Sequence, residues 1–597
     1  MDDPLDHPDM CEAQLTHIPK LARYQYKEVC NIITSKSDVI LQNYSQIVAQ
    51  GGAMNANQQS QFAAIEGQLA WMTRMMGALI GGQIPLLNRQ RIVAEGSGEE
   101  LQDAQLCKRV FQLINFEVPL PRRPGSNTQV QLQLAFLYFL RFFKKAYVGA
   151  HKGMPTTIPS KDNTISDSSD SDSDDHLSNT PPKSEKQKAY LRMFEAMGRG
   201  TYDRVIEFMI QKLDHNLKKW HDNEEIVTQS LELFYSFVTG YSSGKLMLEL
   251  RIVKENFLSQ QAGRNYPFLR SGQNHKHRML FYKAMSHLIW SNDSPERFEQ
   301  FISNDLKVLN RHAHTSNMRL DPIRKEIVGI CCNLRGVAAA THNTRTYTML
   351  FDVLYPNVFP IFAKAIAQCH DFPALTTAVL KFMIEFVENK MQRITFGHCS
   401  PNGILLFREV SKIANAFGRV ALVAFKQHVP PAELYKKRYK GITLMLNMLT
   451  NIFSGRYVNF GVFELYNDNA LSSAMAISIQ CAGAIPTEHI LQYPKVATSY
   501  YNFLEILFRS HLKMVMRFDV SVFKKFVHNL YRGLESLNAS VAGRCASTID
   551  HIASYYFRHC KKLSPREKDV ETARKLQQFI LATSQRFFTE MLGFLFK

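Results

Sequence analysis

Apolar side chains recur along this sequence with the spacing of amphipathic α-helices. One such stripe consists of Val227, Leu231, Phe234 and Val238, at intervals of four, three and four residues. The same intervals return from Val496 to Leu507. Because residues three or four apart share one face of a helix, each segment is predicted to form a helix with one buried stripe.

Helix starts have their own signals. Asp222, followed three residues later by Glu225, resembles a capping box. Ser400 before Pro401 predicts a second start, because serine caps helices and proline fits their first position. In that helix, Arg408 and Glu409 are expected near the surface.

About twenty such segments of about 15–20 residues follow one another, and alternating strand patterns are nearly absent. Two helices and their turns fill about 40–47 residues, which is the length of a HEAT unit. The predicted fold class is therefore all-α: an α-α superhelix, or HEAT-repeat solenoid, of about ten helical hairpins. Residues 1–150 and 189–597 are expected to be helical repeats of this one solenoid.

Residues 151–188 interrupt the pattern with a run rich in serine, aspartate and proline. The run lacks the apolar side chains that offset ordering entropy, so it is predicted to be a disordered acidic insertion. One interpretation is a tolerated insertion at an exposed turn. The other is a phosphorylated flap that competes with acidic cargo, because Ser169 and Ser171 each have aspartate three residues later.

The formal net charge of +18 indicates either a solvated basic face or attraction to an acidic or anionic partner. The basic residues are spread out, and the nearest approach to a cluster is Lys436–Arg438, extended by Lys440. Interleaved arginine and aromatic residues of the RNA-binding type do not occur. We therefore expect a solvated face or an acidic protein partner, and no specific nucleic acid.

No motif for catalysis, cofactor binding or metal binding stands out. The ten cysteines form no CxxC pair and are expected to be buried, reduced thiols. His275 and His277 are two residues apart, a spacing that favours exposed polar residues over metal ligands. The sequence predicts no catalytic, cofactor-binding or metal-ligating residue, no cofactor, and a protein that is not an enzyme.

Neither a secretory leader nor a membrane span is expected. The chain starts with acidic residues where a secretory leader is basic. The best apolar run, Ala474–Pro486, is shorter than the ~18 residues that a bilayer requires. Membrane insertion is therefore not predicted.

Specific runs of residues resemble the exportin-7 family of the importin-β (karyopherin) superfamily. The runs are collinear and cover about residues 1–560. Those that carry the resemblance are Gly67–Trp71, Gly77–Gly82, Gly240–Ser243, Leu334–Ala338, Tyr355–Pro356, Pro373–Lys381, Ser400–Glu409, Tyr457–Phe463, Tyr493–Lys495, Ser499–Tyr501 and Asp550–Ile552.

The resemblance implies a nuclear transport receptor built of HEAT repeats. Such a receptor would bind folded protein cargo together with the small GTPase Ran in its GTP form, contact nucleoporins and shuttle between nucleus and cytoplasm. Family members are much longer, so the chain is expected to correspond to their middle portion, with the similarity fading after residue 562. Without the amino-terminal repeats, Ran binding is expected to be weakened or absent.

Three functions follow from these observations. The chain is an export receptor, or a helical-repeat scaffold that binds proteins without Ran coupling, or a nucleic-acid-binding solenoid. Only the net charge of +18 suggests the third, and we expect the first. The aromatic segment with Tyr457, Phe460 and Phe463 is interpreted either as a tight inter-repeat loop or as an exposed contact for a partner.

Overall fold

The structure is a computed structural model of the 597-residue chain. It describes residues 8–49, 56–81, 99–148, 185–259, 262–270, 275–291, 295–397, 400–425, 427–560 and 567–583, with residues 589 and 593. Throughout these residues the secondary structure is helical and no strand occurs. The predicted all-α class is confirmed.

The chain divides into two compact units, Met1–Asp293 and Ser294–Lys597. The longer helices of the first unit are α1 (Pro8–Ala22), α2 (Tyr26–Ala49), α3 (Ala56–Gly81), α4 (Glu99–Glu117), α5 (Asn127–Tyr147), α6 (Glu185–Ala196), α7 (Tyr202–Lys219), α8 (Glu224–Val238), α9 (Tyr241–Glu249) and α10 (His275–Ser291).

The longer helices of the second unit are α11 (Pro295–Ala313), α12 (Asp321–Ala340), α13 (Thr344–Leu354), α14 (Val358–Gln368), α15 (Pro373–Val387), α16 (Asn402–Ala424), α17 (Lys440–Ser454), α18 (Ala470–Ala484), α19 (Pro494–Ser510), α20 (Val520–Leu534), α21 (Ala539–Cys560) and α22 (Glu567–Thr583).

Each unit is a stack of helical hairpins that form two layers. In the second unit, the second helices of the hairpins pack side by side in the order α12, α15, α17, α19 and α21. The first helices pack in the order α11, α14, α16, α18 and α20. In the first unit α3, α5, α8 and α10 form the corresponding second layer. The described residues thus contain nine stacked hairpins, close to the predicted ten.

The layers form because each helix has an apolar stripe that only a neighbouring hairpin can cover. The predicted stripe on α8, which begins at Val227, is buried, and so is the stripe on α19 from Val496 to Leu507. Phenylalanine side chains join neighbouring hairpins directly. Phe111 of α4, for example, lies 4.5 Å from Phe208 of α7 between ring centroids.

Two predicted helix starts are displaced by one residue. Asn223, and not Asp222, caps α8: its side chain accepts a hydrogen bond from the backbone N–H of Ile226 at 3.0 Å. Asp222 instead forms an ion pair with Arg122. Helix α16 begins at Asn402, and the Ser400 hydroxyl accepts from its N–H at 3.3 Å.

The expected position of Glu409 near the surface is wrong. Its side chain is buried, and one carboxylate oxygen accepts a hydrogen bond from Lys412 at 2.7 Å. The buried face of α16 is broad, because this helix packs against both α14 and α18. A helix with neighbours on two sides buries positions that a single apolar stripe would leave in water.

The acidic insertion of residues 151–188 and its candidate phosphorylation sites, Ser169 and Ser171, lie outside the described residues as far as residue 184. Helix α6 already begins at Glu185, so the last part of the predicted insertion is helical. Whether residues 1–150 and 189–597 belong to one solenoid stays a prediction.

Within the described residues, no single helix is both long and apolar enough to cross a membrane. The pair α13 and α14 passes a test of length and composition together, although it is bent by 62°. Its apolar side chains are packed inside the second unit: Phe359 lies 5.6 Å from Phe386, and Phe362 lies 5.6 Å from Phe382, between ring centroids.

Close packing between α16 and α18 makes Gly418 sensitive to substitution. A Cβ atom at this position would overlap the Ile477 side chain, including Cδ1 at 2.9 Å. We expect Gly418→Ala to destabilise the second unit by about 1–3 kcal/mol, since overpacking forces the helices apart. Chemical denaturation measures this loss.

Gly543 of α21 is the matched control, because a Cβ atom there would meet no atom within 4 Å. Gly543→Ala should stabilise the protein by about 0.5–1 kcal/mol through helix propensity. Equal effects of the two substitutions would refute the packing described for α16 and α18.

Candidate protein-interaction site

The predicted contact segment lies in the connection between α17 and α18. This connection begins after Ser454, contains the short helix Gly461–Leu465 and ends before Ala470. It lies at the end of the second unit where α12, α15 and α17 also terminate, so its surroundings are loops rather than helix sides. The three predicted residues differ in how deeply they are buried.

Tyr457 is half-buried and fixes the segment to α15. Its hydroxyl donates a hydrogen bond to the backbone carbonyl of Val387, the last residue of that helix, at 2.7 Å. Burial raises the pKa of this phenol well above its ordinary value. A Cβ atom on Gly403 would overlap the Tyr457 carbonyl, so glycine is required for this close approach. The segment is held in place by its own chain.

Phe463 and Phe460 also face inwards. Phe463 is 2% exposed, and its ring centroid lies 5.0 Å from that of Phe407 on α16. Phe460 is half-buried and lies 5.1 Å from Phe407 and 5.1 Å from His511. These contacts favour the interpretation as a tight inter-repeat loop, while contact of the three residues with a partner stays a prediction.

Arg393 organises the neighbouring loop, although the sequence gives no sign of it. The side chain is 1% exposed and donates to the carbonyls of Ala338 at 2.6 Å and Thr341 at 3.0 Å. It also donates to the carbonyls of Glu385 and, at 3.1 Å, Glu388. These four carbonyls belong to the ends of α12 and α15, where the last carbonyls of a helix lack the usual N–H partner one turn further on. One guanidinium therefore joins two hairpins.

The loop around Arg393 has a strained backbone. Met391 and Gln392 have φ values of 52° and 57°, and Arg456 in the facing loop has 61°. Such values are uncommon for residues other than glycine. Asn389 holds the two loops together, donating to the Gly455 carbonyl at 2.8 Å and accepting from the Ile394 N–H at 2.7 Å.

These loops surround a cavity of about 970 Å³. Its wall includes Lys390, Phe396, Asn451, Asn459 and Tyr457. Burial lowers the pKa of the Lys390 ammonium group, but its bonds to Glu385 at 2.9 Å and Glu388 at 3.0 Å outweigh burial and raise that pKa above its ordinary value. The wall is mixed polar and apolar, as expected for a surface that contacts a protein or peptide.

The exposed apolar residues of the segment are Leu465 and Tyr466, which the sequence analysis missed. Their side chains are 77% and 75% exposed. Ion pairs flank them: Glu464 with Arg517 at 2.6 Å and Asp468 with Arg408 at 2.8 Å. An exposed aromatic beside fixed charges is typical of protein contact sites. Helical periodicity gives no signal here, because Leu465 ends a helix of only five residues and Tyr466 lies in the turn after it.

Neither His275 nor His277 is exposed, contrary to expectation. His277 is buried, and its Nε2 lies 2.7 Å from the Thr228 hydroxyl. Burial lowers the pKa of this imidazole, so the neutral ring acts as a core residue. Among the residues whose placement is described, no group of three or more His, Cys, Asp or Glu side chains has the geometry to hold a metal ion.

The described cysteines agree with the expected buried thiols. Eight are free, and all of them except half-buried Cys332 are buried. Burial raises the pKa of the Cys481 and Cys545 thiols to about 12, which keeps them protonated. Thiols of this kind are poor nucleophiles and poor metal ligands.

The stacked hairpins and the loop surface at their ends define an all-α helical-repeat protein. Residues 1–277 match the family model described as "Exportin-7-like, TPR domain". Over 590 residues the chain is 29% identical to Exportin-7-B of Xenopus laevis, covering 97% of this chain and 50% of that protein. Similarity also extends to Ran-binding protein 17 of Homo sapiens, at 28% identity over 94% of this chain and 48% of the relative. The predicted resemblance to the exportin-7 family is confirmed.

The chain spans about half the length of the curated relatives it matches. Exportin-7 of Dictyostelium discoideum is 28% identical over 98% of this chain. The remaining 2% of 597 residues is about 12 residues, so the similarity extends beyond residue 562, where it was expected to fade. Correspondence to the middle of such a receptor stays a prediction.

Replacement of Arg393 tests its role at the helix ends. In Arg393→Lys, one ammonium group cannot reach carbonyls on two hairpins, so at least two carbonyls lose their hydrogen bond from residue 393. We expect a loss of about 2–4 kcal/mol in the free energy of unfolding. Arg419→Lys is the control, since Arg419 is exposed on α16. Equal stability of the two variants would contradict the assignment.

His511 gives the second unit a defined dependence on pH. Burial lowers the pKa of its imidazole to about 4, whereas an unfolded histidine titrates near ~6.5. The stabilisation is complete above about pH 6.5 and is lost as the pH falls towards 4, by up to about 1.4 kcal/mol per pH unit.

Denaturation of His511→Phe at pH 8 and pH 5 tests this dependence. Phenylalanine can keep the ring contacts with Phe453, at 4.7 Å, and Phe460 but does not titrate. The variant should therefore lose less stability than the original chain between the two pH values. An identical loss would show that His511 is not the titrating group.

Proposed function

We propose that this chain is the protein-binding part of a nuclear export receptor of the exportin-7 type. The observation that supports the proposal most strongly is the collinear similarity to proteins named exportin-7 and Ran-binding protein 17 across 94–98% of the chain. The chain would take up folded protein cargo in the nucleus, couple to Ran in its GTP form and release both in the cytoplasm.

The architecture is suited to binding proteins rather than to catalysis. Stacked hairpins present long faces on which adjacent helices offer side chains at regular intervals. Such a face contacts a folded partner at many points, and no enclosed polar centre is needed. These relatives are named as exportins and Ran-binding proteins, and none of these names is that of an enzyme.

Three further properties belong to the same proposal. Nucleoporins would be contacted during passage through the pore, and the protein would shuttle between nucleus and cytoplasm. No cofactor, specific nucleic acid or membrane insertion is required. The alternative is a scaffold that binds proteins without Ran. This alternative is supported by the chain's coverage of only about half of each relative.

Binding to Ran discriminates between the two functions. We expect the purified chain to bind Ran loaded with a non-hydrolysable GTP analogue weakly, and Ran loaded with GDP not at all, by biolayer interferometry. Tighter binding of the GTP-analogue form than of the GDP form would indicate coupling to Ran, whatever the absolute affinity. Binding of neither form, or of both forms equally, would exclude Ran coupling and leave the scaffold function.

The exposed pair Leu465 and Tyr466 provides a second test, directed at partner contact. Leu465→Ala with Tyr466→Ala should leave the unfolding temperature unchanged, because neither side chain is packed. If the segment contacts a partner, this variant should lose about 1–2 kcal/mol of binding free energy, as truncated aromatic contacts do. The readout is affinity for a cargo protein identified with the unaltered chain.

Phe463→Ala is the matched comparison, because Phe463 is buried in the same segment. It should lower stability by about 3–5 kcal/mol through the cavity it leaves. If substitution of the exposed pair leaves affinity for the cargo protein unchanged, the segment is a structural loop and not a contact site.

A further inference from the structure

Four basic side chains lie on consecutive second-layer helices of the second unit. Arg335 is on α12, Lys381 on α15, Lys440 at the start of α17 and Lys495 near the start of α19. These helices pack against one another in this order. We call these four residues the basic row. Each hairpin contributes one cation to it, so the row is invisible as a cluster in the linear sequence.

Lys381 is close enough to the other three members of the basic row to interact with each of them. Burial lowers the pKa of the Lys381 ammonium group, and the positive charges of Arg335, Lys440 and Lys495 lower it further. Lys381 therefore lies within the electric field of all three other cations. Repulsion of this kind destabilises the folded chain unless an anion offsets it.

No acidic side chain neutralises the row. Among the described residues, none of its four members forms an ion pair or hydrogen bond, and the buried Nε of Arg335 has no partner. The carboxylates on the same helices are bound elsewhere: Asp321 by Lys325 at 2.7 Å, Glu385 by Lys390 and Glu505 by Arg544 at 2.7 Å. Glu326 is bound by His312, and α17 contains no acidic residue.

The basic run Lys436–Arg438, which lies next to Lys440 in the sequence, differs from the basic row in its contacts. Lys437 is paired with Glu433 at 2.5 Å, and Arg438 donates to the Gln427 carbonyl at 2.6 Å. The run that stands out in the sequence is thus partly engaged within the chain. Lys440, which follows this run in the sequence, is the residue that belongs to the basic row.

The spacing of the row defines the shape of its partner. Packed helices lie about 8–10 Å apart, and an extended chain advances about 10 Å in three residues. An extended segment that crosses the helices can therefore place one acidic side chain opposite each cation. Between the cations the solvent-facing residues include Thr377, Leu444 and Asn447, all half-buried. These side chains offer neither a run of aromatic rings for stacking bases nor a broad apolar patch for lipid.

We propose that the basic row binds an extended acidic segment of a partner protein, with an acidic residue at about every third position. The inference rests on the protein-binding part of the proposed function and is independent of Ran. It specifies the kind of partner that one face of the second unit binds. Neither the family similarity nor the net charge specifies this.

The probe is a fluorescent peptide of four Asp-Ser-Gly repeats, titrated with the full chain at low salt and followed by anisotropy. A peptide of the same composition with its four aspartates adjacent is the comparison. We expect the spaced peptide to bind more tightly, and its affinity to fall as salt rises. Equal affinities for the two peptides would overturn the assignment of an extended, spaced partner.

Charge reversal identifies the surface. Lys381→Glu with Lys440→Glu should weaken binding of the spaced peptide by about tenfold or more. The matched control is Arg419→Glu with Lys524→Glu, which changes net charge equally at exposed positions on the first-layer helices α16 and α20. The control should change affinity by less than about twofold, because its positions lie on the other layer. Equal losses would show that net charge alone attracts the peptide.

Two further measurements complete the test. Lys381→Gln should leave the unfolding temperature unchanged or raise it, because it removes repulsion within the basic row. The same substitution should weaken binding of the spaced peptide. Polyuridylate RNA and phosphatidylserine vesicles are titrated in parallel. Tighter binding of either one, lost in the Lys381 and Lys440 variant, would assign the row to nucleic acid or membrane and overturn the proposal. Since Ran is absent from these titrations, failure of Ran coupling leaves their result unaffected.

Discussion

Burial of one apolar stripe per helix against the neighbouring hairpin is the interaction on which this protein depends. No hairpin of two helices can cover its own stripe, so each one is stable only between others. The order of packing, from α12 through α15 and α17 to α19, follows directly from this constraint. The same constraint sets the spacing of everything on the layer's outer face, because side chains on successive helices must recur at the distance of helix packing.

Polar contacts then fix what apolar packing leaves undetermined. Apolar stripes can slide along one another, whereas hydrogen bonds at helix ends require a single register. Arg393 supplies such bonds at the ends of α12 and α15, and Tyr457 adds one more between the α17–α18 connection and α15. Arg393 is buried and Tyr457 is half-buried, so water cannot replace their partners without cost. The loops at this end are consequently ordered parts of the structure rather than simple connections.

Periodicity was sufficient to predict the class of fold, the stripes on α8 and α19, and the approximate number of hairpins. It was insufficient where a residue's environment is set by a neighbour distant in sequence. Glu409 and His277 are polar residues that lie at buried positions because other helices cover them. Arg393 binds carbonyls more than fifty positions away, at Ala338 and Thr341. Neither composition nor spacing along the chain contains that information, whereas helix periodicity is a purely local property.

The same distinction explains why charge was difficult to interpret from the sequence. A net charge of +18 spread over the chain does not indicate which part of the folded surface is basic. Stacking brings Arg335, Lys381, Lys440 and Lys495 together from four helices, at intervals of 46, 59 and 55 residues. Each interval is roughly one hairpin, so a single cation at one position per repeat becomes a continuous row. Retaining mutually repelling cations without counter-charges reduces stability, and an acidic partner that neutralises them gains affinity from the same repulsion.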